Sequence, residues 1–346
     1  EYRFLEAIYL LQQNEKKNIA FLQGNGELDS ANTWDIRNTL SKYYKVDFFD
    51  IRFLEKRDSS RQLSNINSEI QALNAYKVII IAKPTESFLY NNNSIVYKYI
   101  IDQYVMHGGK VIWMIDGTSA NMDSMDGNMS FPLQINDLSL NDQLAKYGAQ
   151  INHDLIQDER CTKSPILING SNKIGYTNWQ YNPKLIPYQG HVINNGVDSI
   201  LTNFVSSINI INHEKTTVLL SSSEKSNILK LNEIVNLDII RDPPRRFKGE
   251  NVIGVLIEDE FTSAFSDINK DDIPTIITKS PRNKMIIISD GDIISNLYKD
   301  NLYYPLGYYH YGRNIFDGNT DFMLNAVQYL CGDESLIQIK YPNNEK

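Results

Sequence analysis

Four short apolar runs in the first third of the chain limit its fold more than any other feature. They are IAFL at 19–22, VDFF at 46–49, VIII at 78–81 and VIWM at 111–114. Each is too short for a helix. Segments with apolar side chains at helical spacing separate them, around NTWDIRNTLSKYY, residues 63–73 and residues 94–107, and RFLEAIYLLQQ precedes the first. Connections of that length are what parallel strands joined by right-handed crossovers require. The expectation is α/β: an open, mostly parallel twisted sheet with helices on both faces. Trp34, Leu40 and Tyr44 fall near one helical face, with Asp29 or Ser30 as its N-cap. Gly108-Gly109 is expected to stop the 94–107 helix.

Residues 1–140 form this first α/β half. The segment 141–248 differs, with a helix stopped at Gly148, a strand around 150–156, and short β-like pieces rich in Pro, Gly and Asn, including PILING and TTVLL. This is a β-rich, loop-rich middle segment. RDPPRRFK at 241–248, with its paired prolines, reads as a linker or surface loop. The segment 249–340 returns to strands, NVIGVLIEDEF and KMIIISDGD, then an amphipathic helix at 319–331 and LIQI as a final strand. The similar endings WMIDG and IISDGD suggest that the late strands join the first sheet.

A length of 346 residues permits one large or two fused domains. Net charge of -8 argues against a nucleic-acid surface, because no broad basic face is available to neutralise phosphates. No apolar run approaches the roughly 20 residues of a membrane helix. The chain opens with Glu1 and reads as a piece of a longer protein. Cys161 and Cys331 cannot form a zinc site alone, and two buried free thiols are favoured over a disulfide.

The turn after the first strand, GNGELDS, invites a phosphate reading. Gly24 and Gly26 supply part of a dinucleotide turn, but the downstream glycine is absent, as is the Gly-Lys-Ser/Thr of a P-loop. Glu27 would also compete with an anion near the helix start. The turn reads as scaffold. Asp116 and Asp290 matter more, since strand carboxyl ends in such sheets face a ligand crevice. With Asp292 they are able to hold a metal or act as acid and base; the plainer alternative is that Asp-Gly turns the chain. Ser119, in GTSAN, sits where a nucleophile elbow would fall but lacks the second glycine. The five histidines lie in unrelated contexts, and NMDSMDGN has Met125 where a calcium loop needs an oxygen ligand. No catalytic residue, metal set or cofactor is expected. The ligand-binding candidates are Asp116, Ser119, Asp290 and Asp292. Aromatic- and Asn-rich stretches at 176–190 and 303–312 suit a protein interface or a sugar-binding surface, or loop aromatics packed on the core.

KKNIAFLQGNGELD, IDQYVMHGGKVIWMID, LNDQLAKYGAQINHDLIQD, DEFTSAF, MIIISDGDII and PLGYYHYG with DFMLNAVQYLC follow one another along nearly the whole chain. In that order they resemble the GldG family, gliding-associated, ABC-transporter-linked proteins of the Bacteroidota. The resemblance implies an amidotransferase-like or flavodoxin-like fold without amidotransferase catalytic residues, shared with an intraflagellar-transport protein. It also implies a periplasmic domain of an inner-membrane protein, with membrane segments outside this sequence. The partners implied are the permease GldF and the ATPase GldA, and beyond them other gliding or type IX secretion proteins. Two functions compete: a non-enzymatic module working through protein contacts, and a solute- or glycan-binding component using the strand-end crevice. A hydrolase or amidase stands behind both.

Overall fold

The computed structural model describes residues 2–12, 15–52, 63–89, 95–122, 130–167, 174–236, 239, 247–267 and 276–341. Seven strands make the large sheet, labelled here β1 (Asn18–Gln23), β2 (Lys45–Asp50), β3 (Val78–Ala82), β4 (Lys110–Met114), β5 (Thr216–Ser221), β6 (Val252–Thr262) and β7 (Lys279–Ile288). Their spatial order is β5-β6-β7-β4-β3-β1-β2. The β7, β4, β3, β1 and β2 neighbours pair in parallel, whereas β6 runs antiparallel to both β7 and β5. The sheet is therefore mixed rather than plainly open and parallel. The hairpin-like pairing of β6 with β7 reverses the chain at one side, and nothing in their apolar runs distinguishes that from a crossover.

Seven helices are present among the described residues: α1 (Tyr2–Gln12), α2 (Trp34–Ser41), α3 (Leu63–Leu73), α4 (Val96–Met106), α5 (Asn141–Tyr147), α6 (Gly318–Cys331) and α7 (Glu334–Lys340). They cover both faces, as the two-residue side-chain period of the strands demands. Ile19, Phe21, Ile80, Ile112 and Ile286 pack on one side with Ile36 and Leu40 of α2 and Phe322 of α6. Ala20, Leu22, Ile79, Ile81 and Trp113 pack on the other with Leu73 of α3, Ile100 of α4 and Leu144 of α5. Gly108 and Gly148, which terminate α4 and α5, both take left-handed φ values, +89° and +123°.

Three expectations are corrected. LIQI is helix α7, not a strand. Gly332, at φ +76°, ends α6, and the buried Asp333 is then held by Lys17 and Tyr44 so that a new helix starts beside the old one. Trp34 is exposed and stacks on Tyr303 with ring centroids 4.8 Å apart, so it belongs to the surface of α2. The cap of α2 is neither Asp29 nor Ser30. Asp29 Oδ1 accepts from the amides of Ala31 and Asn32 in a turn that precedes the helix, whose N-cap is Thr33. Both cysteines are free, Cys331 buried and Cys161 half-buried. The calcium-like segment around Met125 and residues 241–246 of the proline loop lie outside the described residues.

Residues from the middle segment build a small β layer of their own. The strand 154–158 pairs with 226–230, and 161–167 pairs with 174–185. Leu133, Leu155, Trp179, Tyr181, Phe204 and Val235 form its core. This layer packs over the carboxyl ends of β4 and β7: Ser289 Oγ donates to the Ser206 carbonyl, and the Ser206 amide donates to the Ser289 carbonyl.

Candidate functional site

Met114 of β4 and Ile288 of β7 are register partners, so Asp116 and Asp290 emerge together two residues later, at the carboxyl edge of one sheet. Both are buried. Asp116 Oδ1 accepts from the Gly291 amide at 2.6 Å. Asp290 accepts from the Asp292 amide at 2.7 Å and from the Asn203 amide at 3.1 Å. Lys83, directly after β3, completes the cluster. Its Nζ lies 2.6 Å from Asp292 and 3.6 Å from Asp116. Burial works against its charge, but the carboxylates of Asp292 and Asp116 outweigh it and raise its pKa. Burial likewise pushes Asp116 up to about 6, against the pull of Lys83, and raises Asp290 well above the usual range with help from the charges of Asp292 and Asp116.

The two glycines of the Asp-Gly pairs have a reason other than a left-handed turn. A Cβ on Gly117 would stand 2.2 Å from the Asn152 carbonyl oxygen, and one on Gly291 would stand 2.5 Å from Lys83 Cβ. Close approach of three chain segments selects glycine there. Lys83 itself takes φ +52°, an uncommon setting for a lysine. Of the four sequence candidates, Asp116, Asp290 and Asp292 come together and Ser119 does not join them. Ser119 is exposed, and its amide donates to the Gln134 carbonyl. His153 is the histidine on that side. Its Nδ1 lies 2.8 Å from the Gly117 carbonyl and its Nε2 lies 3.1 Å from Asn141 Nδ2, so one tautomer satisfies both ring nitrogens.

Next to the aspartate cluster, between the small β layer and the loops after β7, lies a cleft of about 330 Å³. Asp292, Asn203, Asn182, Trp179, Tyr309 and Tyr311 are among the residues that line it. It brings together the two aromatic-rich stretches that lie over a hundred positions apart in the sequence. Lys83 and the cleft are what sequence reasoning missed. The one local signal for Lys83 was a charged residue placed straight after the fully buried VIIIA.

The turn after β1 is built differently. Gly24 and Gly26 take φ +125° and +73°. The Asn25 carbonyl accepts from the amides of Thr85 and Glu86, and Glu27 Oε2 accepts from the Asn25 amide at 2.7 Å. Glu27 is thus folded into the turn rather than set at the start of α2. Burial pushes its pKa up to about 7.

A three-layer α/β domain with a mixed sheet and a capping β layer is the class that this architecture defines. The chain belongs to the family described as ABC-type uncharacterized transport system, which it matches over residues 16–326, and so to the auxiliary components of such systems. No curated protein matches its sequence. Among solved structures it is similar to the mmIFT52 N-terminal domain, with a TM-score of 0.50 and 13% identity over 90% of this chain and 97% of that one. A putative GMP synthase subunit from Thermoplasma acidophilum gives a TM-score of 0.40 at 9% identity, covering 94% of this chain and 99% of that one. A putative ThuA-like protein from Parabacteroides merdae gives 0.35 at 9% identity, covering 92% and 91%. At such identities the first likeness speaks for the fold alone. No helix among the described residues is long and apolar enough to cross a membrane.

Proposed function

We propose that this chain is a non-catalytic periplasmic module of a GldG-type inner-membrane protein, serving the gliding and type IX secretion machinery of a member of the Bacteroidota through protein contacts. The observation that carries this reading is the filled strand-end crevice. Where an amidotransferase-like sheet would expose reacting groups, Lys83 bridges Asp292 and Asp116, and Asn203 closes over Asp290. A half-buried lysine held between two carboxylates is not a free base. The surface offers contact area instead. Tyr298, Leu302, Tyr303, Tyr311 and Ile315 are all exposed on the two short hairpins after β7, and aromatic-rich, charge-poor patches suit protein interfaces.

Photo-crosslinking in intact cells, from positions 302 and 315, tests the reading. The expected products join the chain to the permease and ATPase counterparts of GldF and GldA, or to another gliding component. Absence of any such product, together with turnover of an amide or ester by the purified chain, overturns it. A second reading, a solute- or glycan-binding component of the transporter, is favoured by one observation: the cleft beside the aspartate cluster.

A further inference from the structure

We propose that this cleft is a binding site for an uncharged saccharide, an assignment that rests on the second reading above. Four buried polar atoms on residues that line it have no hydrogen-bond partner within the described residues: Asn182 Oδ1, Asn203 Oδ1, Trp179 Nε1 and the Tyr309 hydroxyl. Trp179 is only 2% exposed. A buried polar group without a partner destabilises a fold, so four around one cleft mark places where a ligand supplies the missing bonds. Two are acceptors, one is a donor, and the tyrosine hydroxyl can be either. Sugar hydroxyls both donate and accept, and they match that mixture.

The charge of the wall narrows the class. An anionic ligand would meet the Asp292 carboxylate and two amide oxygens, with Lys163 as the lysine on the lining, exposed at its rim. A cationic ligand would find Asp292 already held by Lys83. An apolar ligand would leave all four orphaned atoms unsatisfied. The lining also includes Tyr309 and Tyr311, edge to face with centroids 5.9 Å apart. They give an aromatic surface of the kind that a pyranose covers with its C–H face, in a pocket at the small end of the usual ligand range. The backbone is bent to make this wall. Phe204, buried and not glycine, takes φ +49° directly after Asn203, and such settings concentrate at binding sites.

The test is a glycan array of neutral mono- to trisaccharides probed with the chain, followed by calorimetric titration of each binding sugar. Inorganic phosphate, free amino acids and nucleosides serve as comparison solutes. At least one neutral saccharide is expected to bind. Asn182→Ala and Asn203→Ala should each weaken it about fivefold or more, the factor that one lost hydrogen bond commands, with an unchanged melting temperature. Tyr311→Ala, at the exposed rim, keeps the test open if either asparagine variant fails to fold. A silent array overturns the proposal. Binding of amino acids or nucleosides that the same variants weaken would then keep the ligand-binding reading while removing the saccharide; no binding by any solute removes both. Saccharide binding unaffected by all three variants also overturns the site.

Discussion

Two strand ends of this sheet carry glycines, and they carry them for opposite reasons. After β1, Gly24 and Gly26 occupy left-handed backbone settings that side chains resist, while the space around them is filled mostly by side chains able to move. After β4 and β7, Gly117 and Gly291 lie outside the left-handed region, and what excludes a side chain is the backbone of Asn152 and the stem of Lys83. The first end is a turn whose glycines are required by backbone conformation, with the segment after β3 hydrogen-bonded to it. The second is a meeting point of three chain segments, with aspartates held under it. A glycine in the sequence signals both, and only packing tells them apart.

The largest effect should come from the packed end. Gly117→Ala puts a Cβ 2.2 Å from a main-chain oxygen whose residue is itself tied to Ser207, so relief requires moving the capping layer. We expect a loss of about 3 kcal/mol, at the upper end for an overpacked site, measured by chemical unfolding. A loss under half that figure would mean that the cap rides loosely on the sheet, and the contrast between the two ends would weaken.

The β1 turn has its own signature, which is pH. Glu27 has a folded pKa of about 7, above its ordinary value of 4.5, because burial disfavours its charge. The protonated form fits the fold better. Its contribution is fully present below pH 4.5 and is lost as pH rises through 7. Glu27→Gln keeps an acceptor for the Asn25 amide and removes the ionisation. At pH 8 it should stabilise the protein by on the order of 2–3 kcal/mol, and near pH 4.5 it should change little. Melting curves from pH 4.5 to 8 check this. Asp116, pushed up to about 6, and Asp290, also raised by burial, lie at the other end and keep part of the slope in the variant. A variant with the full wild-type slope would assign all of it to those aspartates.

Gly26→Ala should cost less, about 1 kcal/mol, the usual penalty for a left-handed setting. The new Cβ falls 2.2 Å from Thr85 Oγ1, but a hydroxyl can rotate away where a backbone carbonyl cannot. Equal destabilisation by Gly26→Ala and Gly117→Ala, in the same unfolding experiment, would erase the distinction between a turn and a junction.

Much of this was legible in the chain. Runs such as VIIIA and KVIWM fixed the central strands, because strands buried on both faces need continuous apolar sequence. Asp116 and Asp290 were legible as a pair because their strands end alike. The direction of β6 was not, since an apolar run reads the same in either direction. Nor was LIQI, whose two adjacent buried residues, Leu336 and Ile337, suit a short helix against α6 as well as a strand. The cleft was legible only in halves. Its aromatic stretches showed their composition, but only the fold of the middle segment over β4 and β7 brings Asn182 and Asn203 to line one cleft with Tyr309 and Tyr311.

The smallest expected effect bears on chemistry at the packed end. Ser119 lies three residues beyond Asp116, where a nucleophile would stand if β4 ended in an elbow. An acyl-transfer serine needs a base within hydrogen-bond reach and donors for the oxyanion. His153, on that side, has one ring nitrogen against the Gly117 carbonyl and the other against Asn141. Its proton-accepting atom is already engaged. Lys83 is tied to two carboxylates, and Ser119 itself is exposed. Ser119→Ala should therefore change stability by less than about 0.5 kcal/mol, as for most surface substitutions. Neither the wild-type chain nor the variant should hydrolyse glutamine or a simple ester above background. Turnover that is present in the wild type and lost in Ser119→Ala, at equal melting temperature, would make the β4 end a catalytic edge and overturn its reading as a closed structural junction.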